Sequence, residues 1–141
     1  MNKDIENRET LERLVSGQRL AVLATGGAAG PYLSLVAFAA SADRRSFYFA
    51  TPRNTRKWAN LGEESRVALL LDDRPGGQAD FSRSAAVTLT GTARELSGEE
   101  REAALELYKA RHPELAEFAR SPANALLKVV ISDFYPVNGF K

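Results

Sequence analysis

The stretch PYLSLVAFAASADRRSFYFATPRNTRKWANL, residues 31–61, decides the fold. It begins with an apolar strand candidate, YLSLVAFAAS, which a polar hairpin tip, ADRR, joins to a second strand candidate rich in aromatic residues, SFYFAT. A basic cluster follows at once, and the segment from Asn54 to Leu61 has the pattern of a short helix. Because the strands are joined by hairpin-length connections, the stretch predicts antiparallel pairing.

The rest of the chain extends this pattern into one domain of 141 residues. Residues 1–17 predict an N-terminal helix, and residues 18–96 predict the first five strands, with a turn at 51–57. Residues 97–120 predict two helices, and residues 125–141 a final strand and tail. The sequence therefore predicts a mainly β fold with flanking helices, in which six antiparallel strands form a closed or split barrel.

Composition excludes several classes of function. Lys and Arg number 19 against 18 Asp and Glu, so the chain lacks the basic excess of a nucleic-acid-binding protein. It has no Cys and one His, which excludes disulfides, a Cys nucleophile and a multi-histidine zinc site. No apolar run approaches the roughly 20 residues needed to cross a bilayer, and the charged N-terminus is unlike a signal peptide. We expect a cytoplasmic protein without membrane or nucleic-acid partners.

The basic cluster has the residues of an anion site. Arg53, Arg56 and Lys57 lie within five positions, directly behind an apolar strand. If a helix begins near Thr55, its free backbone N–H groups and positive dipole end favour a phosphate. The hydroxyls of Thr51 and Thr55 add donors, and the two adjacent cations add charge.

An alternative remains open for the same cluster. Its cations could form salt bridges with nearby acids such as Glu63 and Glu64, as basic residues on surface helices commonly do. A helix N-terminus disfavours basic side chains unless an anion is bound, which favours the anion site.

The order of the segments resembles the FMN-binding split barrels related to pyridoxamine 5′-phosphate oxidase. The resemblance covers residues 18–141 and runs through PYLSLVAFA, FYFAT, NTRKWANL, SRVALLLDD and AAVTLTGTAREL, whose central glycine is Gly91. Thr55-Arg56-Lys57 stands where the family has Ser or Thr followed by Arg-Lys. The later segments resemble a short branch grouped with haem-utilisation proteins, through Arg111-His112-Pro113 and the tail Asn138-Gly139-Phe140.

The resemblance implies a six-stranded split barrel that works as a homodimer, with two FMN sites at the subunit interface. It implies nine cofactor-binding residues: Ser34, Leu35, Val36, Ala50, Thr51, Arg53, Thr55, Arg56 and Lys57. The first three would present backbone groups to the isoalloxazine ring, and the next two would line the ribityl chain or the ring edge. The last four would hold the phosphate.

Two departures from the family bear on activity. Ser34 stands near the position of an Arg, and Ala86 near that of a Gln, which pyridoxamine-phosphate oxidases use on the flavin. The Arg and His that those oxidases use on substrate near the C-terminus are also missing from DFYPVNGFK. We therefore expect a flavin-dependent oxidoreductase of a small molecule, but not a vitamin-B6 oxidase. The alternatives are a deazaflavin or haem as ligand, a non-enzymatic flavin- or haem-binding protein, and a structural dimer without a cofactor.

Three further features have two interpretations each. His112 could ligate haem or donate a proton, or it could simply end a helix before Pro113, where the dipole favours it. Trp58 could stack on a flavin or belong to the core or an interface. Asp72-Asp73 could look like a metal pair, but adjacent strand residues point to opposite faces, which favours a strand-end turn.

Overall fold

The computed structural model describes residues 3–77 and 80–139. Within these residues the chain forms seven strands, five α-helices and one 3₁₀ turn, Pro113–Leu115. The helices are α1 (Lys3–Gly17), α2 (Arg56–Glu63), α3 (Asp80–Arg83), α4 (Gly98–Arg111) and α5 (Ala116–Arg120). The strands are β1 (Leu20–Thr25), β2 (Tyr32–Ala37), β3 (Ala39–Ala40), β4 (Ser46–Pro52), β5 (Arg66–Asp72), β6 (Ala85–Glu95) and β7 (Asn124–Asn138).

The strands form one antiparallel sheet in the order β2-β1-β5-β6-β7-β4-β3. Its two outermost strands, β2 and β3, are consecutive in the chain and separated by Phe38 alone. One bent segment therefore forms both edges of the sheet, which curls it into a split barrel. The predicted mainly β split barrel with flanking helices is confirmed, but the predicted count of six strands is wrong, because the second strand bends at Phe38 and changes neighbours.

Alternating burial along the strands fills the barrel. Phe47 and Phe49 of β4 are at most 1% exposed, and their neighbours on the strand are less buried. The same period of two appears in β5 and β6, as expected of strands with one face in a core. On α1, Leu11 and Leu14 pack into this core, and α4 and α5 form a second cluster on the outside of β4.

A glycine in β6 is required by the packing of two strands. The pairing of β6 with β7 shifts register between Thr90 and Gly91. A Cβ atom on Gly91 would lie 2.3 Å from the carbonyl oxygen of Val130, a distance that no side chain tolerates. The central glycine of this strand therefore permits a β-bulge with close backbone approach.

The structure also bears on the predicted helices and the C-terminal tail. The predicted N-terminal helix appears as α1, and the predicted helical segment 97–120 contains α4, the 3₁₀ turn and α5. The short helix α3, between β5 and β6, was not predicted. Phe140 of the family-like tail lies outside the described residues. No helix in the described ranges is long and apolar enough to span a membrane.

Candidate functional site

Two threonines fix the turn between β4 and α2. The Thr55 hydroxyl lies 3.0 Å from the Pro52 carbonyl oxygen, to which it donates, and it accepts from the backbone N–H of Trp58 at 3.3 Å. Thr55 is therefore the N-cap of α2. Thr51 is fully buried, and its hydroxyl lies 3.2 Å from that of Thr55. The role of Thr51 in this structure is to hold the capping residue in place.

The first turn of α2 carries two cations that the protein leaves unpaired. Within residues 3–77 and 80–139, neither Arg56 nor Lys57 forms an ion pair, and their backbone N–H groups have no acceptor. The Arg56 guanidinium lies over the ring of Tyr32, with its Cζ 5.4 Å from the ring centroid. Unpaired cations and free N–H groups at a helix start suit a doubly charged phosphate.

The acids considered as alternative partners are engaged elsewhere. Glu64 binds Arg66, with 2.6 Å between Oε1 and the guanidinium, and hydrogen bonds from the Arg66 side chain and then its backbone lower the pKa of Glu64 to about 2. The Glu63 carboxylate accepts from the backbone N–H of Ala28 at 3.2 Å. Neither acid neutralises the first turn of α2.

Arg53 differs from the other two cations of the cluster. Its guanidinium donates to Glu95 at 2.7 Å and lies over the Trp58 ring at 5.1 Å from the centroid. The salt-bridge alternative thus applies to Arg53, although with an acid that the sequence did not indicate. Trp58 itself is half-buried and packs against the core, as one of its two interpretations predicted.

The three predicted cofactor residues on β2 have side chains on opposite faces of the sheet. Ser34 and Val36 pair with Leu23 and Ala21 of β1 and share their inward face, whereas Leu35 points outward and is 67% exposed. The Ser34 hydroxyl is buried and has no hydrogen-bond partner among the described residues. Leaving such a group unsatisfied costs about 1–3 kcal/mol.

Among the described residues β2 and the end of β4 are not paired with each other, and we call this break in the barrel the slot. At this edge β2 has no strand partner, since it pairs with β1 alone, and β4 pairs with β3 through Phe47 and Tyr48 alone on this side. The backbone edges of residues 34–36 and 50–52 therefore flank the slot. The Ala50 side chain itself points away, toward the cluster under α4.

The structure thus groups most of the predicted cofactor residues around one slot and its adjoining turn. Two residues that the sequence did not single out belong here as well: Tyr32, under Arg56, and Glu95, on Arg53. Tyr32 could have been found from strand periodicity, because it lies two positions before Ser34 and hence on the same face. No local signal links Glu95 to Arg53, which are 42 positions apart.

His112 is buried and hydrogen-bonded within the fold. It is 1% exposed, and its Nε2 lies 2.7 Å from the Phe38 carbonyl oxygen, so Nε2–H donates there. Burial, with Arg19 and Arg111 nearby, lowers the pKa of His112, and the bond to Phe38 opposes this in part. His112 does end α4, as expected, but as a buried neutral donor rather than a solvated cation.

The two adjacent acids at the end of β5 both pair with arginines. Asp72 pairs with Arg74 at 2.8 Å, and Asp73 pairs with Arg13 at 3.3 Å and accepts from the Ala85 backbone N–H. In the described ranges no three His, Cys, Asp or Glu side chains are grouped to hold a metal ion. The strand-end interpretation is therefore the one that the contacts favour.

A cleft and an apolar face lie on the outside of the sheet. The cleft has a volume of about 690 Å³, and its lining includes Leu70, Phe81, Ala86 and Val137. Beside it, one register row runs across five strands through Leu35, Val22, Leu70, Thr88 and Tyr135. Three further residues of this face are 49–65% exposed: Leu20, Leu33 and Val137. An exposed apolar area of this extent is typical of an interaction surface.

Known structures share this architecture at low sequence identity. A haem-binding protein from Mycobacterium smegmatis has 18% identity and a TM-score of 0.82 over 94% of this chain, which spans only 54% of that protein. The haem storage protein HutZ from Vibrio cholerae has 14% identity and a TM-score of 0.80, over 94% of this chain and 96% of its own. An FAD-binding protein from Mesorhizobium loti has 14% identity and a TM-score of 0.73, over 96% and 94%. These likenesses establish the fold.

Family membership rests on a separate comparison. No curated protein sequence matches the chain. The family described as pyridoxamine 5′-phosphate oxidase matches residues 8–138, which include the whole barrel and the turn before α2. The chain belongs to the pyridoxamine 5′-phosphate oxidase family.

Proposed function

We propose that this chain is an FMN-binding flavoprotein that acts, as a homodimer, as a flavin-dependent oxidoreductase on a small molecule. The observation that carries the proposal is the first turn of α2, which Thr55 caps and where Arg56 and Lys57 have no acidic partner among the described residues. Family membership supports it, because the family match includes residues 55–57, and Thr55-Arg56-Lys57 resembles the Ser/Thr-Arg-Lys element that binds the flavin phosphate in that family. A phosphomonoester is the anion that matches two cations and free N–H groups.

The residues around the slot fit the rest of such a cofactor. The edges of Ser34, Leu35 and Val36 offer backbone donors and acceptors for the polar edge of a flat ring. When bound, FMN supplies the reversible acceptance of a hydride. The protein's own contribution is to bind, to orient and to exclude water, which agrees with a site that has no acid–base constellation.

Activity on vitamin-B6 phosphates is not part of the proposal. Ser34 and Ala86 are small residues near the positions where those oxidases carry Arg and Gln. The position of Ala86 lines the outer cleft, where a small side chain leaves room for a different small molecule. We therefore leave the substrate class at an apolar small molecule, which a cleft of about 690 Å³ accommodates.

Haem binding through His112 is the weaker candidate. Two of the similar structures are haem proteins, but His112 is buried and donates its Nε2–H to Phe38. Ligation through Nε2 would leave the Phe38 carbonyl unsatisfied inside the protein, at a cost of about 1–3 kcal/mol.

The apolar outer face supports the homodimer. Leu35 belongs both to that face, where it is 67% exposed, and to the strand that flanks the slot. A second copy that covers this face would therefore place the cofactor at the subunit interface. We expect Leu35→Glu to give a monomer in sedimentation, whereas Phe118→Glu, at an exposed phenylalanine on α5, remains dimeric. A monomeric wild-type protein would refute this part of the proposal.

Reconstitution with FMN tests the proposed function. After removal of free flavin, the protein should retain absorbance bands near ~450 nm and ~370 nm, as oxidised flavoproteins do. A parallel addition of haem should give no Soret band that depends on His112. A protein that retains no FMN, or a haem band that His112→Gln abolishes, would overturn the proposal.

A further inference from the structure

The bend between β2 and β3 leaves two consecutive backbone carbonyls without strand partners. β2 pairs with β1 as far as Ala37, and β3 pairs with β4 from Ala39 onward. The carbonyls of Ala37 and Phe38 lie where the segment changes neighbours. Buried carbonyls of this kind must find another hydrogen-bond donor.

Both donors come from α4 and its C-cap residue, His112. The Tyr108 hydroxyl lies 3.0 Å from the Ala37 oxygen, and His112 Nε2 lies 2.7 Å from the Phe38 oxygen. The two side chains are four positions apart, which places them on the same face, and their rings lie 5.1 Å apart. Each residue is 1% exposed, so no solvent donor competes for these carbonyls.

Tyr108 also lies against the other side of the slot. Burial raises the pKa of its hydroxyl to about 12, and the backbone N–H of Ala50 on β4 opposes that rise. The phenol oxygen therefore stands between Ala37 of β2 and Ala50 of β4. It occupies the place where, in a closed barrel, these two strands would bond to each other directly.

We propose that Tyr108 and His112 are positioning residues that hold the bend at Phe38 and keep β2 apart from β4. Their bonds fix where the barrel stays open, and so they set the two backbone edges that flank the slot. This inference rests on the proposed function for its ligand, FMN, but its structural part concerns the protein alone.

Tyr108→Phe tests the inference with the loss of a single oxygen. We expect FMN to bind about tenfold more weakly, the loss that goes with one misplaced hydrogen-bonding edge. The matched control is Tyr48→Phe on β4, since the Tyr48 hydroxyl has no hydrogen bond among the described residues and its ring packs on the same helix. The control should bind FMN within twofold of wild type. Equal affinity in the Tyr108 variant would overturn the inference.

Two substitutions of His112 distinguish a positioning role of its hydrogen bond from a general contribution to stability. A Gln side chain can donate to the Phe38 carbonyl, whereas Leu cannot. We expect His112→Gln to keep FMN affinity within about threefold and His112→Leu to lose about tenfold. Equal losses in both would contradict a positioning role for the donor.

If the wild-type protein binds no FMN, the proposed function fails while the positioning role is still tested. Amide hydrogen exchange is then compared between wild type and Tyr108→Phe without ligand. Faster exchange confined to residues 37–40 and 49–51 supports the role of Tyr108. Unchanged exchange there would overturn it.

Discussion

Two basic clusters, at opposite kinds of helix end, behave differently in this protein. Arg56 and Lys57 begin α2 and have no acidic partner among the described residues, whereas Arg111 and His112, at the end of α4, are fully engaged. Arg111 donates to the carbonyls of Val15, Ser16 and Gln18, and His112 to that of Phe38. Similar residue types thus differ in their hydrogen-bond partners: the second cluster joins parts of the fold, whereas the first is the candidate anion site.

The largest effect on stability should follow from Arg111→Ala. The change leaves the last carbonyls of α1 without their donor, and we expect the free energy of unfolding to fall by about 2–3 kcal/mol. Urea denaturation measures this, with Arg120→Ala as a control, because that exposed side chain has no bond in the described part of the chain. If Arg111→Ala lowers the free energy of unfolding by less than Arg120→Ala does, Arg111 does not stabilise the fold in the way that distinguishes the two clusters.

The pH dependence of stability probes the same cluster. Burial lowers the folded-state pKa of His112 below its ordinary value of about 6.5, so the unfolded chain binds the proton more readily. Its contribution is therefore present above that pH and is lost as the pH falls below it, with a slope of at most about 1.4 kcal/mol per pH unit.

Unfolding curves of wild type and His112→Gln between pH 7.5 and 5, roughly the range in which histidine titrates, measure this slope. The difference between the two proteins should shrink as the pH falls, because Gln has no proton to gain. A difference that stays constant would show that His112 does not titrate on unfolding.

The smallest effect on FMN affinity should come from a change at Arg53. This residue is near Arg56 and Lys57 in the sequence, but unlike them it has an acidic partner. Both side chains of the Arg53–Glu95 ion pair are exposed to solvent. We expect Arg53→Ala to change FMN affinity by less than about threefold, because an exposed, paired cation has little to offer a phosphate. A loss as large as that of Arg56→Ala would place Arg53 in the phosphate site and blur the distinction.

The sequence predicted most of the fold because its signals are local. Strand alternation, the short hairpin before Phe47 and the helix start at Thr55 all depend on neighbours in the chain. The bend at Phe38 could not be predicted, because residues 35–40 are all apolar and alternation gives no signal within such a run. Phe38 and Ala39 are both buried, which breaks the period of two where the strand changes partners.

The sequence predicted that the cations of the candidate site form a cluster, but it did not predict which residues they pair with. Proximity in sequence indicated Glu63 and Glu64 as partners of the cations, whereas these acids bind Ala28 and Arg66. The partner of Arg53 comes from β6, and the donors at the bend come from α4. Such long-range contacts depend on how the elements pack together, and this packing cannot be derived from the spacing of residues in the sequence.

The affinity for FMN of Arg56→Ala/Lys57→Ala tests the central claim most directly. Titration followed by flavin fluorescence should show a loss of roughly 2–3 kcal/mol, or about 30- to 150-fold, as two charge-assisted contacts to the phosphate disappear. The control, Arg8→Ala/Lys109→Ala, removes the same charge from other helices and should bind like wild type. An affinity in the Arg56/Lys57 variant equal to that of the control would contradict the account.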